Sequence, residues 1–236
     1  GYMTVSTSEA QDGAWDGQIE ALGQAGVGEH AKVLDRAEVQ AVCRSPRFRE
    51  AALFDDTATI QPARLAFGLR QALIDEGVML FENSPVTAMN DSPSGVTVWT
   101  PGGKVTAGRA VLASGAALAG FGSPVRDKVT IASSHMVITE PVPDVLEKIG
   151  WEGAPAITDC RSLLNYTRTT PDGRIALGWG GGRIAAGGGR GGTAEVDGEV
   201  VEEVSRNLTD YFPDLAGRRI THAWGGPIDA SASHLP

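Results

Sequence analysis

The run Ala110-Val-Leu-Ala113, leading straight into Ser114-Gly115-Ala116, constrains the fold most. An unbroken apolar run of that length, cut by a glycine, predicts a strand buried on both faces that ends in a tight turn. In α/β proteins, ligands bind just beyond the carboxyl ends of such strands. Small residues there let the backbone come close to a ligand, and Gly115 is free to take a positive φ. A plain core strand followed by a turn is the other reading of the same residues.

The chain has 236 residues and 42% hydrophobic content, enough for one large core or two smaller ones. Its formal net charge is -9 and its Lys and Arg form no cluster. That argues against a nucleic-acid partner, whose phosphates need clustered cations. Cys43 and Cys160 lie far apart, with no ligand spacing. They point to a reducing, cytoplasmic setting, and to neither a disulfide framework nor a zinc site. No spacing of His, Asp or Glu supports a metal. The longest apolar runs fall short of a membrane span, and no signal peptide is visible. The chain opens at Gly1-Tyr2 without an initiator Met, so it reads as cut or processed.

Residues 8–56 read as helical. Trp15, Ile19 and Leu22 recur at helical spacing, with Gly26 as a stop. Asp35 and Glu38 have the form of a capping box, and Pro46 ends the helix that this box would open. Gly23-Gln-Ala-Gly26-Val-Gly28 has the wrong glycine order for a nucleotide loop and no strand before it. Next, Pro62 suits the first turn of a helix. Leu65, Leu69 and Leu73 share one face of it, Gly77 closes it, and Gly68 suggests close packing on a sheet. Val78–Phe81 and Val86–Met89 read as short strands. Val96–Thr100 and Lys104–Thr106 form a hairpin around Pro101-Gly102-Gly103.

From residue 121 the pattern is β-rich. Val129–Thr139 is a long strand ended by Pro141-Val-Pro143. Ile157–Asp159, Leu163–Arg168 and Ile175–Gly178 are shorter strands, and Thr170-Pro-Asp-Gly173 has clear turn chemistry. Gly178–Gly192 is glycine-rich and holds Arg183 and Arg190. Without G-K-[S/T] it is no P-loop, and it reads as a surface loop or a mobile lid. Asp197–Phe212 is a helix with Val200, Val204 and Leu208 on one face, stopped by Pro213. Ile220–Trp224 is a last strand.

This order resembles the middle of a flavoprotein of the D-amino-acid oxidase-like (DAO) superfamily of FAD-dependent oxidoreductases. The resemblance rests on Thr59-Ile-Gln-Pro62-Ala-Arg-Leu65, Val86, Ala113-Ser-Gly115-Ala116 and Ser134-His-Met-Val-Ile-Thr-Glu-Pro141. It continues through Asn165-Tyr-Thr-Arg168, Asp172-Gly-Arg174 and Ala223-Trp-Gly-Gly226. It implies a mixed α+β and α/β chain in three parts: a helical segment of the substrate domain over 1–56, a partial Rossmann-like FAD-binding domain with a β-meander over 57–122, and an antiparallel-sheet substrate domain over 123–236. It implies FAD as cofactor, with Val86, Ala113, Ser114, Gly115 and Ala116 beside it. It implies a small amine or amino acid as substrate. A hydride would pass from the carbon bearing nitrogen to the flavin, giving an imine that water hydrolyses. The family's opening strand–GxGxxG–helix and its closing glycine-rich flavin segment are not in this sequence. The resemblance thus implies an internal fragment, with the N- and C-terminal segments of the same parent chain missing.

Tyr166 and Arg168 sit two apart, so on a strand they share a face. A phenol with a guanidinium suits a substrate carboxylate. An ordinary strand whose Arg pairs with a surface acid is the other reading. His222 and Trp224 share a face in the same way, as pocket residues or as a packed Trp beside a hydrogen-bonded His. His135 reads as structural, and His30 and His234 as solvated. Ser133-Ser134-His135 is no triad signal, because partners in space are not read from adjacency. Two functions fit these readings: an FAD-dependent oxidoreductase acting on CH-NH or CH-NH2 groups, or a binding or structural scaffold without flavin.

Overall fold

The computed structural model describes residues 1–116, 129–153, 155–181 and 196–231. Ala117, His234 and residues 182–195 of the glycine-rich stretch lie outside them. Two units separate: Gly1–Thr59 with Gly115–Pro236, and Ile60–Ser114.

The first unit is built on an eight-stranded sheet. Its strands are β1 (Tyr2–Val5), β2 (Ala31–Leu34), β3 (Ala51–Phe54), β7 (Val129–Thr139), β8 (Ala156–Asp159), β9 (Asn165–Thr169), β10 (Ile175–Trp179) and β11 (Ile220–Ser231). The spatial order is β11-β7-β10-β9-β8-β1-β3-β2. Neighbours run antiparallel except β1 and β8, which are parallel. The β9–β10 turn forms as its residues dictate: Gly173 takes φ 75° and its N–H donates to Thr170 O at 2.9 Å.

One face of this sheet carries the main core. Helix α5 (Gly198–Tyr211) lays Val200, Val204, Leu208 and Tyr211 against it, and Asp197 caps its first amides. Helices α2 (Arg36–Val42) and α4 (Pro143–Ile149) add Val39, Val145 and Ile149 to the same cluster, with Met3, Val5, Val137 and Leu177 from the strands. The Asp35–Glu38 capping box forms with both of its hydrogen bonds. On the opposite face, Trp15 packs with Ala52 and Phe54, joined by Tyr2 and by Ile19 and Leu22 of α1 (Asp16–Gln24).

A buried polar network fixes the start of β9 against α5. Asp159 Oδ1 accepts the backbone N–H of Asn165 at 2.9 Å, and Oδ2 pairs with Arg161 Nε at 2.8 Å. The Tyr211 hydroxyl donates to the same carboxylate. Asn207 Nδ2 donates to Asn165 Oδ1 at 3.1 Å. Burial, then the hydrogen bond to Asp159, pushes the Tyr211 phenol far above its ordinary range.

The second unit holds α3 (Pro62–Asp75) and a meander of β4 (Ala88–Ser92), β5 (Gly95–Thr100) and β6 (Gly103–Ala107). Pro62 sits in the first turn of α3 and Gln61 caps it. Gly95 has φ 126°, and a Cβ there would stand 2.6 Å from Ala107 O, so the hairpin needs a glycine.

Several expectations from sequence are corrected. Residues 8–56 are not purely helical, because β2 and β3 interrupt them and join β1 in the sheet. Such four-residue strands are specified by distant partners, not by local pattern. Val78–Phe81 and Ala110–Ala113 are exposed and form no strand. A strand needs a hydrogen-bonded neighbour, and neither run meets one among the described residues. Gly68 has open space where close packing was expected. Pro143 does more than end a strand: it opens α4.

Candidate functional site

The register of the sheet decides which side chains meet. On β9, Asn165, Thr167 and Thr169 are buried on the core face, while Tyr166 and Arg168 point to the other face and stay half-buried. Tyr166 pairs with Gly178, Gly178 with Met136, and Met136 with Trp224. Arg168 pairs with Ala176, Ala176 with Ile138, and Ile138 with His222. Two rows therefore run across β9, β10, β7 and β11 on one face. That face is opposite α5. At the usual strand spacing, each row spans roughly 14 Å.

The four residues singled out as substrate-binding thus share one surface. They form two pairs at its two sides, with β10 and β7 between. A bulge makes the arrangement possible. Ile220 pairs with Thr139 and His222 with Ile138, so Thr221 is the extra residue on β11. Without it, strict alternation from Ile220 would send His222 and Trp224 to the core face. Trp224 is 42% exposed, so it is not a packed core tryptophan. His222 Nδ1 lies 3.0 Å from Thr221 Oγ1.

Tyr166 lies across the strand beside it. Its hydroxyl bonds to Ser134 Oγ on β7, and Ser134 Oγ donates to Trp179 O at 3.2 Å. Gly178 makes room for the ring. Arg168 Nε donates to Thr169 O at 3.4 Å. Ser134, Met136 and Gly178 were not picked out as site residues from sequence. A glycine inside the apolar run Ile175–Trp179 was the available signal, since strand glycines often mark the close approach of another group.

The residues expected beside a cofactor are small and open. Ala113, Ser114 and Gly115 are exposed, and Val86, just ahead of β4, is 40% exposed. Gly115 has φ 51°, and a Cβ there would meet nothing within 4 Å. The buried strand leading into that turn is absent, but the turn's left-handed glycine is present.

Other features carry less chemistry. A surface depression beside α5 is lined by Arg206, Leu208, Leu215 and Arg218, but Arg206 pairs with Glu203 and Arg218 with Asp144. His135 is buried, and its Nε2 accepts the Asp197 N–H at 3.2 Å. His30 bonds to Asp55 at 2.8 Å, and that bond raises its pKa. Among the described residues no group of His, Cys, Asp and Glu could hold a metal, and no helix is long and apolar enough to cross a membrane.

The family model described as FAD dependent oxidoreductase matches residues 1–236. The chain is 25% identical over 240 aligned positions to a probable oxidoreductase OrdL of Rhizobium meliloti, covering 100% of this chain and 53% of that protein. It is 29% identical over 206 positions to gamma-glutamylputrescine oxidoreductase of Escherichia coli, covering 87% of this chain and 46% of that protein. The chain therefore spans about half the length of these curated relatives. Among solved structures it resembles glycine oxidase from Geobacillus kaustophilus, with TM-score 0.79 and 18% identity over 100% of this chain and 60% of that one. L-proline dehydrogenase from P. horikoshii gives TM-score 0.80 and 18% identity, over 100% of this chain and 62% of that one. At that identity these two likenesses speak for the fold.

Proposed function

The chain belongs to the DAO family of FAD-dependent oxidoreductases, and from that premise we propose that it forms the substrate wall and part of the cofactor contact of an enzyme that oxidises an amine or amino acid at the C–H bond next to nitrogen. The observation that carries this reading is the gathering of Tyr166, Arg168, His222 and Trp224 on one face of a sheet whose other face is sealed by α5. The names of the relatives point the same way, since they include an oxidoreductase of gamma-glutamylputrescine and oxidases or dehydrogenases of amino acids.

When bound, FAD supplies the acceptor for the substrate's hydride. The residues present fit its contacts. Ala113–Ala116 offers small side chains, with Gly115 in a left-handed conformation and open space around it. Val86 adds an exposed apolar contact. We assign these positions to FAD and the residues 57–122 to its partial binding domain.

The remaining work falls to the sheet. Arg168 carries a planar guanidinium, the group whose shape and charge match a carboxylate. Trp224 and Met136 give an apolar wall in the row beside it, and the Tyr166 ring narrows the surface further. His222 ends the Arg168 row with a polar group. Such a wall orients the reacting C–H bond and excludes water, which is most of what the protein must do when a cofactor takes the electrons.

The test is optical. The full gene product carrying this chain is purified with FAD, and its visible spectrum is followed without oxygen as an amine or amino acid is added. A bound-flavin spectrum that bleaches on addition supports the proposal. A protein that retains no flavin at high concentration, or whose flavin stays oxidised with every amine, supports the scaffold reading instead.

A further inference from the structure

The Ser134 hydroxyl has one hydrogen and stands within bonding distance of two oxygens, the carbonyl of Trp179 and the phenol of Tyr166. A carbonyl oxygen only accepts. Both bonds therefore form in a single arrangement, in which Ser134 gives its hydrogen to Trp179 O and Tyr166 gives its hydrogen to Ser134 Oγ. The reverse order, with Ser134 donating to the phenol, forfeits the bond to Trp179. Ser134 is the phenol's one hydrogen-bond partner among the described residues. Gly178 leaves the room this pose needs, since any side chain there would collide with the ring.

This arrangement gives the phenol a polarity. Its hydrogen is spent inside the sheet, and its oxygen turns only lone pairs outward. We infer that Tyr166 is a specificity residue that accepts a hydrogen bond from the substrate's N–H group, and that Ser134 is the positioning residue that fixes this polarity. The role rests on the proposal above that this face is the substrate wall. It also divides a pair that the sequence suggested would act together on a carboxylate. A guanidinium only donates, whereas this phenol only accepts. Arg168 and Tyr166 therefore take opposite ends of a molecule that carries both a carboxylate and an amine. A carboxylate placed at Tyr166 itself would face unfavourable lone-pair contact, so it goes to Arg168.

Calorimetric binding of two probes of similar shape, butylammonium and butyrate, to the full gene product at neutral pH tests this. Tyr166→Phe is expected to weaken butylammonium about tenfold and to leave butyrate unchanged, since a hydrogen bond with a charged partner is lost. Ser134→Ala releases the phenol hydrogen and is expected to shift preference toward butyrate. Ser134→Thr keeps a hydroxyl and is expected to restore the wild-type order. A Ser134 that only supported the fold would lower both affinities together, and that result overturns the inference. So does a Tyr166→Phe protein that loses butyrate and not butylammonium, or a wild-type protein that binds neither probe. If butylammonium binding depends on Tyr166 as stated but no amine bleaches the bound flavin, the acceptor role stands and the redox reading alone falls.

Discussion

Tyr166 lies across Gly178 so closely that a Cβ on the glycine would stand 2.2 Å from Tyr166 Cε2. No methyl group fits there without moving the ring. Gly178→Ala should therefore push the Tyr166 tip off β10 and break its bond to Ser134. The atoms displaced are at the far end of a side chain that can swing away. The cost in stability should stay at the low end of the ~1–3 kcal/mol typical of overpacking. Butylammonium binding should fall as in Tyr166→Phe. Denaturant unfolding and calorimetry on the same protein check both halves, and unaltered binding would remove Gly178 from the site.

The Asp159 network makes a prediction about stability alone. Tyr211→Phe keeps the ring in its cluster with Phe48 and Phe212 but removes the hydroxyl that donates to Asp159. A buried carboxylate then loses one donor. Urea unfolding should show a loss of about 1–3 kcal/mol. A change below about 0.5 kcal/mol, the usual scale of surface substitutions, would mean that Asp159 is satisfied without Tyr211.

These two groups differ in how far the sequence disclosed them. Tyr166 and Arg168 were legible because period-two alternation is a local property of one strand. The turn at Gly173 and the capping box at Asp35 and Glu38 were legible for the same reason. Ser134 and Gly178 gain their roles only from the register of β7, β10 and β9. The orientation of His222 and Trp224 depends on a bulge at Thr221, and no periodicity forecasts a one-residue insertion. β1 and β3 were missed because Tyr2 finds its partners at Phe54 and Ala156, far along the chain. Val78–Phe81 and Ala110–Ala113 erred the other way. Their composition suits a strand, but composition supplies no neighbour.

Cys160 should be slow to react. Burial, then the charges of Asp159 and Asp12, pushes its thiol up to about 11. Only the thiolate is alkylated, so at pH 8 the reactive fraction is on the order of 0.1%. Its iodoacetamide rate should climb about tenfold per pH unit through about pH 9.5 without levelling. Levelling near about pH 8–9, where an ordinary thiol titrates, would contradict the burial of this side chain. Cys43 is fully buried and should stay unmodified in the folded protein.

Gly115 offers a way to separate backbone strain from cofactor contact. Its φ of 51° is one that Asn adopts with little cost, while a β-branched residue is strained there. Gly115→Asn should therefore leave stability nearly unchanged, because a Cβ meets nothing nearby. It should lower the flavin retained through gel filtration if FAD lies against this backbone. Normal retention would move the cofactor away from residues 113–116.

The half-bleaching concentration of a carboxylated amine, in an anaerobic titration of the flavin-loaded gene product, reads the substrate's placement most directly. Arg168 is on the face assigned to substrate, and Arg206 lies on α5, across the sheet, paired with Glu203. Arg168→Ala should raise the half-bleaching concentration about tenfold or more, and Arg206→Ala should leave it where it is. An unchanged value in Arg168→Ala, or an equal rise in both variants, would contradict the placement of the substrate on this face.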